Sequence, residues 1–217
     1  LKEYGITRIV VGREMTLSAL ALFRARTDIE VEYFMHGDMC ISESGQCIHS
    51  GVVFGQSGNR GRCLKPCRWA YELIDEESGK RLDEGGPGPY KLALKDMCMY
   101  RAIPELIQAG VFSFKIEGRM RPAPFLRRIV STYRAAIDAY IADPTGYATD
   151  EEGWKLLYEN RARDYTTTFA FGQPTAKDIG FDGTRGPRCF SEAVKGAGVQ
   201  DDILNAARPV LKESAAP

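Results

Sequence analysis

The chain has 217 residues, of which 44% are hydrophobic and 27% are charged. This composition is typical of a folded globular protein and excludes disorder for most of the chain. Twenty-nine basic residues balance 29 acidic ones, so no overall charge marks a nucleic-acid or membrane partner. No apolar run approaches the roughly 18 residues that span a bilayer, and no secretory pattern opens the sequence. We therefore expect a cytoplasmic protein with no membrane partner.

The first forty residues and the region after residue 100 alternate between strand and helix patterns. The elements that we predict, in chain order, are a strand at 6–11, a helix at 15–26, a strand at 31–35, a helix at 103–109, a strand at 111–116 and helices at 122–140 and 151–161. Two short strands at 71–74 and 90–94 are expected to flank a Gly/Pro-rich turn, and a last helix is expected at 201–212.

Strands that alternate with helices indicate parallel βα units. About three units fit, too few for a closed eight-stranded barrel of ~250 residues. We predict an α/β chain that forms the C-terminal part of a larger protein. Its first domain would be residues 1–145, with a Cys/Gly-rich insertion at 40–98, and residues 146–217 would form a helix and an irregular extension. The missing strands, or a partner chain, would cover the open sheet edge.

Five of the six cysteines fall within 59 residues, an uncommon concentration for a protein without secretory features. They are Cys40, Cys47, Cys63, Cys67 and Cys98. Four thiolates suit either zinc or an iron–sulfur cluster, but only the Cys63/Cys67 pair has the close spacing of a zinc knuckle. Cysteines buried merely as small hydrophobic residues are the third interpretation. The spacing leaves these three alternatives open.

Charged residues accompany the cysteines and the predicted strand ends. Arg60 and Arg62 precede the second cysteine pair, and Lys115, Glu117 and Arg119 lie at and just beyond the end of the strand 111–116. Reactive groups of α/β barrels occupy such strand ends. His36 also ends a strand and is a candidate acid or base. We take these six residues as substrate-binding candidates, although solvated surface positions would show the same pattern.

Four stretches of the sequence resemble the collagenase-like U-32 peptidase family. They are residues 32–50 (EYFMHGDMCISESGQCIHS), 59–68 (NRGRCLKPCR), 95–98 (KDMC) and 113–120 (SFKIEGRM). The resemblance covers about residues 1–165. Asp38 stands where the family usually has a small residue, and His49 where it has an aliphatic one.

The resemblance implies a TIM-like barrel and, in several members, an oxygen-independent hydroxylase with a [4Fe–4S] cluster on four cysteines. Such members act on tRNA or rRNA bases, with prephenate as the expected hydroxyl source, or on the ubiquinone ring. The cluster ligands implied here are Cys40, Cys47, Cys63 and Cys67, with Cys98 as a substitute. Basic side chains would bind RNA phosphates or a dicarboxylate.

The function expected from this resemblance is iron–sulfur-dependent hydroxylation of RNA. Two alternatives remain. One is a true collagenase-like peptidase, and the other is a non-catalytic binding module in which zinc on the cysteines stabilises the fold.

Overall fold

A computed structural model describes residues 1–83, 88–118 and 121–179. Its contacts divide the chain into two compact units. We call Leu1–Met39 together with Leu94–Asp178 the sheet unit. We call Cys40–Ala93, together with the chain from Ile179 onward, the cysteine unit. The predicted helix at 201–212 lies outside the described residues. The predicted division at residues 145 and 146 stays a prediction, because much of the second segment is not described.

The described strands all belong to one mixed sheet in the sheet unit. They are β1 (Arg8–Val10), β2 (Glu30–Gly37), β3 (Asp96–Cys98), β4 (Ser113–Glu117) and β5 (Tyr165–Thr166). Strands β1 and β4 both pair with β2 in parallel at Glu32 and therefore lie on opposite sides of it. Strand β3 continues along the β1 side, antiparallel to β2, and β5 pairs with β3 in parallel.

The described helices are α1 (Leu17–Arg24), α2 (His49–Phe54), α3 (Ile103–Gln108), α4 (Ala123–Ala142) and α5 (Glu151–Glu159). Short 3-10 turns occupy Lys2–Tyr4, Gly58–Arg60, Pro66–Arg68, Tyr100–Ala102 and Ala176–Asp178. Thr16 and Asp150 cap α1 and α5 by accepting backbone N–H bonds. Within the described residues, no helix has both the length and the apolar character needed to cross a membrane.

The core of the sheet unit follows from two apolar periodicities. Val31, Tyr33 and Met35 alternate along β2 and are almost completely buried. On α4, buried residues recur at helical spacing: Ile129, Tyr133, Ala136, Ile137 and Tyr140. Helix α3 contacts both α1 and α4, and α4 contacts α5. The hydroxyl of Tyr33 donates to the carbonyl of Met15, just before α1.

The predicted βα order is confirmed, and the sheet and helices make the chain mixed α/β. Strands 6–11, 31–35 and 111–116 correspond to β1, β2 and β4, with parallel pairing of both outer strands to β2. The sheet is not closed, and the TIM-like barrel stays a prediction.

The two short strands predicted at 71–74 and 90–94 are wrong. Ile74 forms one isolated antiparallel bridge with Arg81, and neither segment is a strand. The chain reverses at Asp75, whose carboxylate accepts the Ser78 N–H at 2.8 Å, and Gly79 takes a positive φ of 68°. This turn, which the Asp75 side chain closes, lies before the Gly/Pro-rich tract. It leaves too few residues on either side for the hydrogen bonds of a two-stranded hairpin.

Candidate functional site

One face of the parallel strands is polar. The register places Arg8 beside Glu30, Ser113 beside Glu32 and Lys115 beside Phe34, and paired residues of neighbouring strands project to the same side. Unlike Val31, Tyr33 and Met35, the β2 residues of this face are only half-buried. The Ser113 hydroxyl donates to Glu32 at 3.0 Å. The sheet thus has one apolar face toward the core and one face able to bind polar groups.

Two cations of the polar face lie near one aromatic ring. Nζ of Lys115 is 3.4 Å from Oε1 of Glu32 and 5.2 Å from the centroid of Phe34. Arg13 is 3.6 Å from Oε2 of Glu117, and its guanidinium carbon is 3.8 Å from the same centroid. Lys115 and Glu117 both lie on β4, and their role in substrate binding stays a prediction. An anionic ligand must compete with the carboxylates already near the cations.

The end of β2 depends on a glycine. Gly37 has φ 114°, and a Cβ added there would lie 2.3 Å from the carbonyl oxygen of Glu117 on β4. The pairing of β2 with β4 also shifts register between Phe34 and His36. Only glycine permits this close approach of two backbones in this conformation, and the approach fixes where Asp38 leaves the sheet.

Asp38, one of the two departures from the family pattern, belongs to a charged network. Its Oδ1 accepts from Arg121 at 3.0 Å and also from Arg163. Asp96 on β3 accepts from Nε of Arg163 at 2.8 Å and from Arg121 at 3.2 Å. The side chain of Arg163 is 2% exposed and that of Asp96 is 4% exposed. Two carboxylates and two guanidinium groups thus balance one another in a largely dry environment.

His36 lies close to this network and is itself 4% exposed. Its ring makes edge contacts with Tyr133 and Tyr165 at centroid distances of 5.5 and 5.4 Å. Burial lowers the pKa of His36 to about 4, against the opposing effect of the Asp96 charge. The predicted acid or base is therefore a neutral imidazole at ordinary pH.

Cys98 lies in the sheet unit, separate from the unit that holds the other four clustered cysteines. It pairs with His36 across β2 and β3, and its Sγ is 3.4 Å from the hydroxyl of Tyr133. Burial raises the pKa of the Cys98 thiol to about 11. These surroundings favour the thiol over the thiolate that a metal requires, so we do not include Cys98 in the proposed ligand set.

Cys40, Cys47, Cys63 and Cys67 all belong to the cysteine unit, and among the described residues none of the four forms a disulfide bond. Two hydrogen bonds join the segments that carry the two pairs. Nδ2 of Asn59 donates to the carbonyl of Gly45 at 2.8 Å, and the N–H of Leu64 donates to the Ser50 hydroxyl at 2.9 Å. The rings of Phe54 and Trp69 pack at a centroid distance of 5.1 Å.

The donor chemistry of these cysteines fits a soft metal centre. The four thiols are partly accessible, and the N–H of Lys65 donates to Sγ of Cys63 at 3.3 Å, an arrangement that stabilises a thiolate ligand. Across the described part of the chain, no group of three or more His, Cys, Asp or Glu side chains is placed to hold a metal ion. The four-thiol ligand set stays a prediction.

The remaining candidates are distributed between the units. Arg60 and Arg62 are exposed in the cysteine unit, whereas His36, Lys115 and Glu117 belong to the sheet unit. Arg119 lies outside the described residues.

Four charged residues of the sheet unit were not among the predicted site residues: Arg13, Asp96, Arg121 and Arg163. Arg13 lies three residues after β1, so the strand-end rule applied to Lys115 would have found it. Asp96 lies in the family-like stretch 95–98, whereas no comparable signal marked Arg121 and Arg163.

Comparison with known proteins identifies relatives of the chain by sequence. The model of peptidase family U32 matches residues 1–180. The chain is 37% identical over 175 residues to tRNA hydroxylation protein P1 of Bacillus subtilis, which covers 80% of this chain and 42% of that protein. It is 36% identical over 156 residues to the 23S rRNA 5-hydroxycytidine C2501 synthase of Escherichia coli, covering 70% of this chain and 23% of that protein.

A relative that is named for another activity also matches. The chain is 37% identical over 112 residues to a collagenase of Porphyromonas gingivalis, covering 52% of this chain and 27% of that protein. No solved structure matches the chain. The chain spans less than half the length of these three relatives. The match over residues 1–180 and the identity to these proteins show that the chain belongs to peptidase family U32.

Proposed function

We propose that this chain is part of an RNA-hydroxylating enzyme that modifies a tRNA or rRNA base. The observation that carries the proposal is the similarity to two proteins named for RNA hydroxylation, each of which covers more than two thirds of this chain. The aligned length includes both units, so the similarity is not confined to one motif. The protein would work in the cytoplasm, where its RNA substrate is found.

The proposed cluster ligands are Cys40, Cys47, Cys63 and Cys67. They lie in one unit, and the Lys65 N–H already donates to one of the sulfurs. A bound [4Fe–4S] cluster would supply one-electron chemistry. The backbone of the cysteine unit would orient the ligands through the Asn59–Gly45 and Leu64–Ser50 hydrogen bonds. The alternative is a zinc ion bound by the same four thiolates.

Net hydroxylation exchanges a C–H hydrogen of the base for the hydroxyl of a donor, so the base is oxidised by two electrons and the donor is reduced by two. Prephenate is the donor that the family resemblance suggests. Its two carboxylates match the chemistry of Lys115 and Arg13 on the polar face. Binding there would replace the Lys115–Glu32 and Arg13–Glu117 contacts, which are long at 3.4 and 3.6 Å.

Peptide hydrolysis is the second candidate because one relative is named a collagenase. The structure offers Cys98 and His36 as neighbours on paired strands. However, a nucleophilic cysteine needs a lowered pKa and a hydrogen-bonded base. Burial raises the pKa of Cys98, and His36 Nδ1 is directed to Tyr133 instead. These contacts favour the hydroxylase over a thiol peptidase.

Mass spectrometry of nucleosides tests the proposed function. The gene would be deleted in its host, and tRNA and rRNA digests would be compared with those of the parent. We expect one hydroxylated nucleoside to disappear and to return when the complete gene is restored. A gene that encodes Cys63→Ser should fail to restore the nucleoside. A gene that encodes Cys189→Ser is the matched control and should restore it. An unchanged nucleoside profile in the deletion strain would overturn the proposal.

A further inference from the structure

We propose that His36 is fixed as the Nδ1–H tautomer and presents Nε2 as a hydrogen-bond acceptor to an N–H or O–H group of the substrate. Tyr133 and Cys98 are the positioning residues that hold it in this state. The identity of the substrate group, an N–H or O–H of an RNA base, rests on the proposed function. The tautomer itself rests on the hydrogen bonds around Tyr133.

The tautomer follows from counting hydrogens at the Tyr133 hydroxyl, which has one hydrogen to donate. Three groups with a hydrogen to give or take lie beside it: the Met35 carbonyl at 3.2 Å, Nδ1 of His36 at 3.2 Å and Sγ of Cys98 at 3.4 Å. The Met99 N–H also acts on the hydroxyl, but it donates to the Met35 carbonyl at 2.9 Å. The carbonyl can only accept, so it takes the phenolic hydrogen. Nδ1 must then donate to the phenolic oxygen, and the Cys98 thiol donates to it as well.

The opposite assignment is less favourable. If Tyr133 donated to Nδ1, its oxygen and the Met35 carbonyl oxygen would face each other at 3.2 Å with no hydrogen between them. The Met35 carbonyl also accepts the Met99 N–H at 2.9 Å, which fixes its position within the sheet. The backbone therefore holds the acceptor that decides the direction of the hydroxyl.

The neutral state of the ring is supported by its surroundings. His36 lies against two tyrosine rings, and the charged groups that act on it are Asp96, Asp38 and Arg121. Both carboxylates are already bonded to Arg163 and Arg121. Their charge is largely compensated, so burial dominates and the imidazole stays uncharged.

The Nε2 atom retains a lone pair in this tautomer. Among the described residues, the hydrogen bond found for the His36 ring is the one at Nδ1. The residue is 4% exposed, so the ring is not completely closed off from solvent, and we place the accessible edge at Nε2. A fixed, neutral acceptor at the end of a sheet strand suits recognition of a donor group.

Nitrogen NMR of the full chain labelled with 15N-histidine tests the tautomer directly. The sequence has two histidines, and His49→Gln assigns the signals. We expect the His36 spectrum at neutral pH to show a protonated Nδ1 and a non-protonated Nε2, whose resonance lies far downfield. A protonated Nε2 would overturn the proposal, and so would rapid averaging between the two tautomers.

Substitutions at the positioning residues test the cause. Tyr133→Phe removes the acceptor for Nδ1–H, so we expect the two His36 tautomers to mix. Cys98→Ser keeps a donor beside Tyr133 and should leave the tautomer unchanged. Cys98→Ala removes that donor and should shift part of the His36 population to the other tautomer. An unchanged tautomer in Tyr133→Phe would show that Tyr133 does not fix it. If Tyr133→Phe does not fold, the unsubstituted protein still decides the tautomer.

Chemical modification tests the substrate contact. Diethyl pyrocarbonate acylates an accessible non-protonated imidazole nitrogen, and peptide mass spectrometry distinguishes His36 from His49. We expect His36 to react, and we expect either tRNA or rRNA from the deletion strain to slow this reaction several-fold. A His36 that never reacts would overturn the accessible acceptor. A reaction that neither RNA slows would overturn the contact with RNA. That result would not affect the NMR test of the tautomer or the nucleoside test of the proposed function.

Discussion

Arg163 donates hydrogen bonds to Asp38, a residue 125 positions earlier in the sequence. The same guanidinium binds Asp96 on β3. It thereby ties the end of β2 to the strand beside it and to the segment that precedes β5. The departure from the family pattern at Asp38 has a physical partner, since its carboxylate enters a network with matched positive charge.

We expect Arg163→Met to destabilise the chain by about 3–5 kcal/mol, because the buried Asp96 and the partly buried Asp38 would share only Arg121. The free energy of unfolding in urea measures this effect. Arg134→Ala is the matched control, since Arg134 pairs with Asp138 on the exposed side of α4 and should change stability by about 0.5 kcal/mol or less. Equal effects of the two substitutions would show that the buried network does not stabilise the fold.

Gly37→Ala should cost more stability than Gly5→Ala. Both glycines have positive φ, at 114° and 76°, so both substitutions introduce backbone strain of about 1–2 kcal/mol. At Gly37 the new Cβ also meets the Glu117 carbonyl at 2.3 Å, whereas nothing lies within 4 Å at Gly5. Thermal unfolding of the two variants provides the comparison. A smaller loss at Gly37 would contradict the close pairing of β2 with β4.

Acid should weaken the fold through His36. Its pKa is about 4 in the folded protein, below the ordinary value of 6.5. The unfolded chain therefore binds more protons between these values, and the free energy of unfolding falls as pH drops from 6.5 to 4, by about 3 kcal/mol. Urea unfolding across this range measures the slope. The slope should be shallower in His36→Gln and unchanged in His49→Gln, and a slope that His36→Gln retains would contradict the assignment.

Lys115→Met should lower the restored level of the hydroxylated nucleoside by about tenfold or more, the expected effect of losing one charge-assisted contact. Lys155→Met, an exposed lysine on α5, is the matched control and should restore the parental level. The nucleoside assay described above measures both. Full restoration by Lys115→Met would remove the polar face of the sheet from the proposed substrate site.

Local pattern was sufficient for much of the sheet unit. Apolar alternation identified β2, and helical spacing identified α4, because both elements are long enough to show their period. The strand-end rule then selected Lys115 and Glu117, which the structure brings to one polar face with Glu32 and Phe34.

The remaining features depend on contacts that no local pattern records. Strand β3 has only three residues, too few to display a period. It nevertheless places Asp96 beside Arg163 and Cys98 beside Tyr133. Arg163 is distant in sequence from both of its carboxylates. The turn at Asp75 was hidden because a nearby Gly/Pro-rich tract gave the stronger composition signal.

Iron and acid-labile sulfide analysis of the anaerobically purified chain tests the central claim most directly. We expect iron and sulfide in equal amounts, a brown protein, and loss of both when Cys40, Cys47, Cys63 or Cys67 is replaced by serine. Cys98→Ser should retain them. A colourless protein with zinc on these thiols, or iron that survives each of the four substitutions, would contradict the proposed cluster.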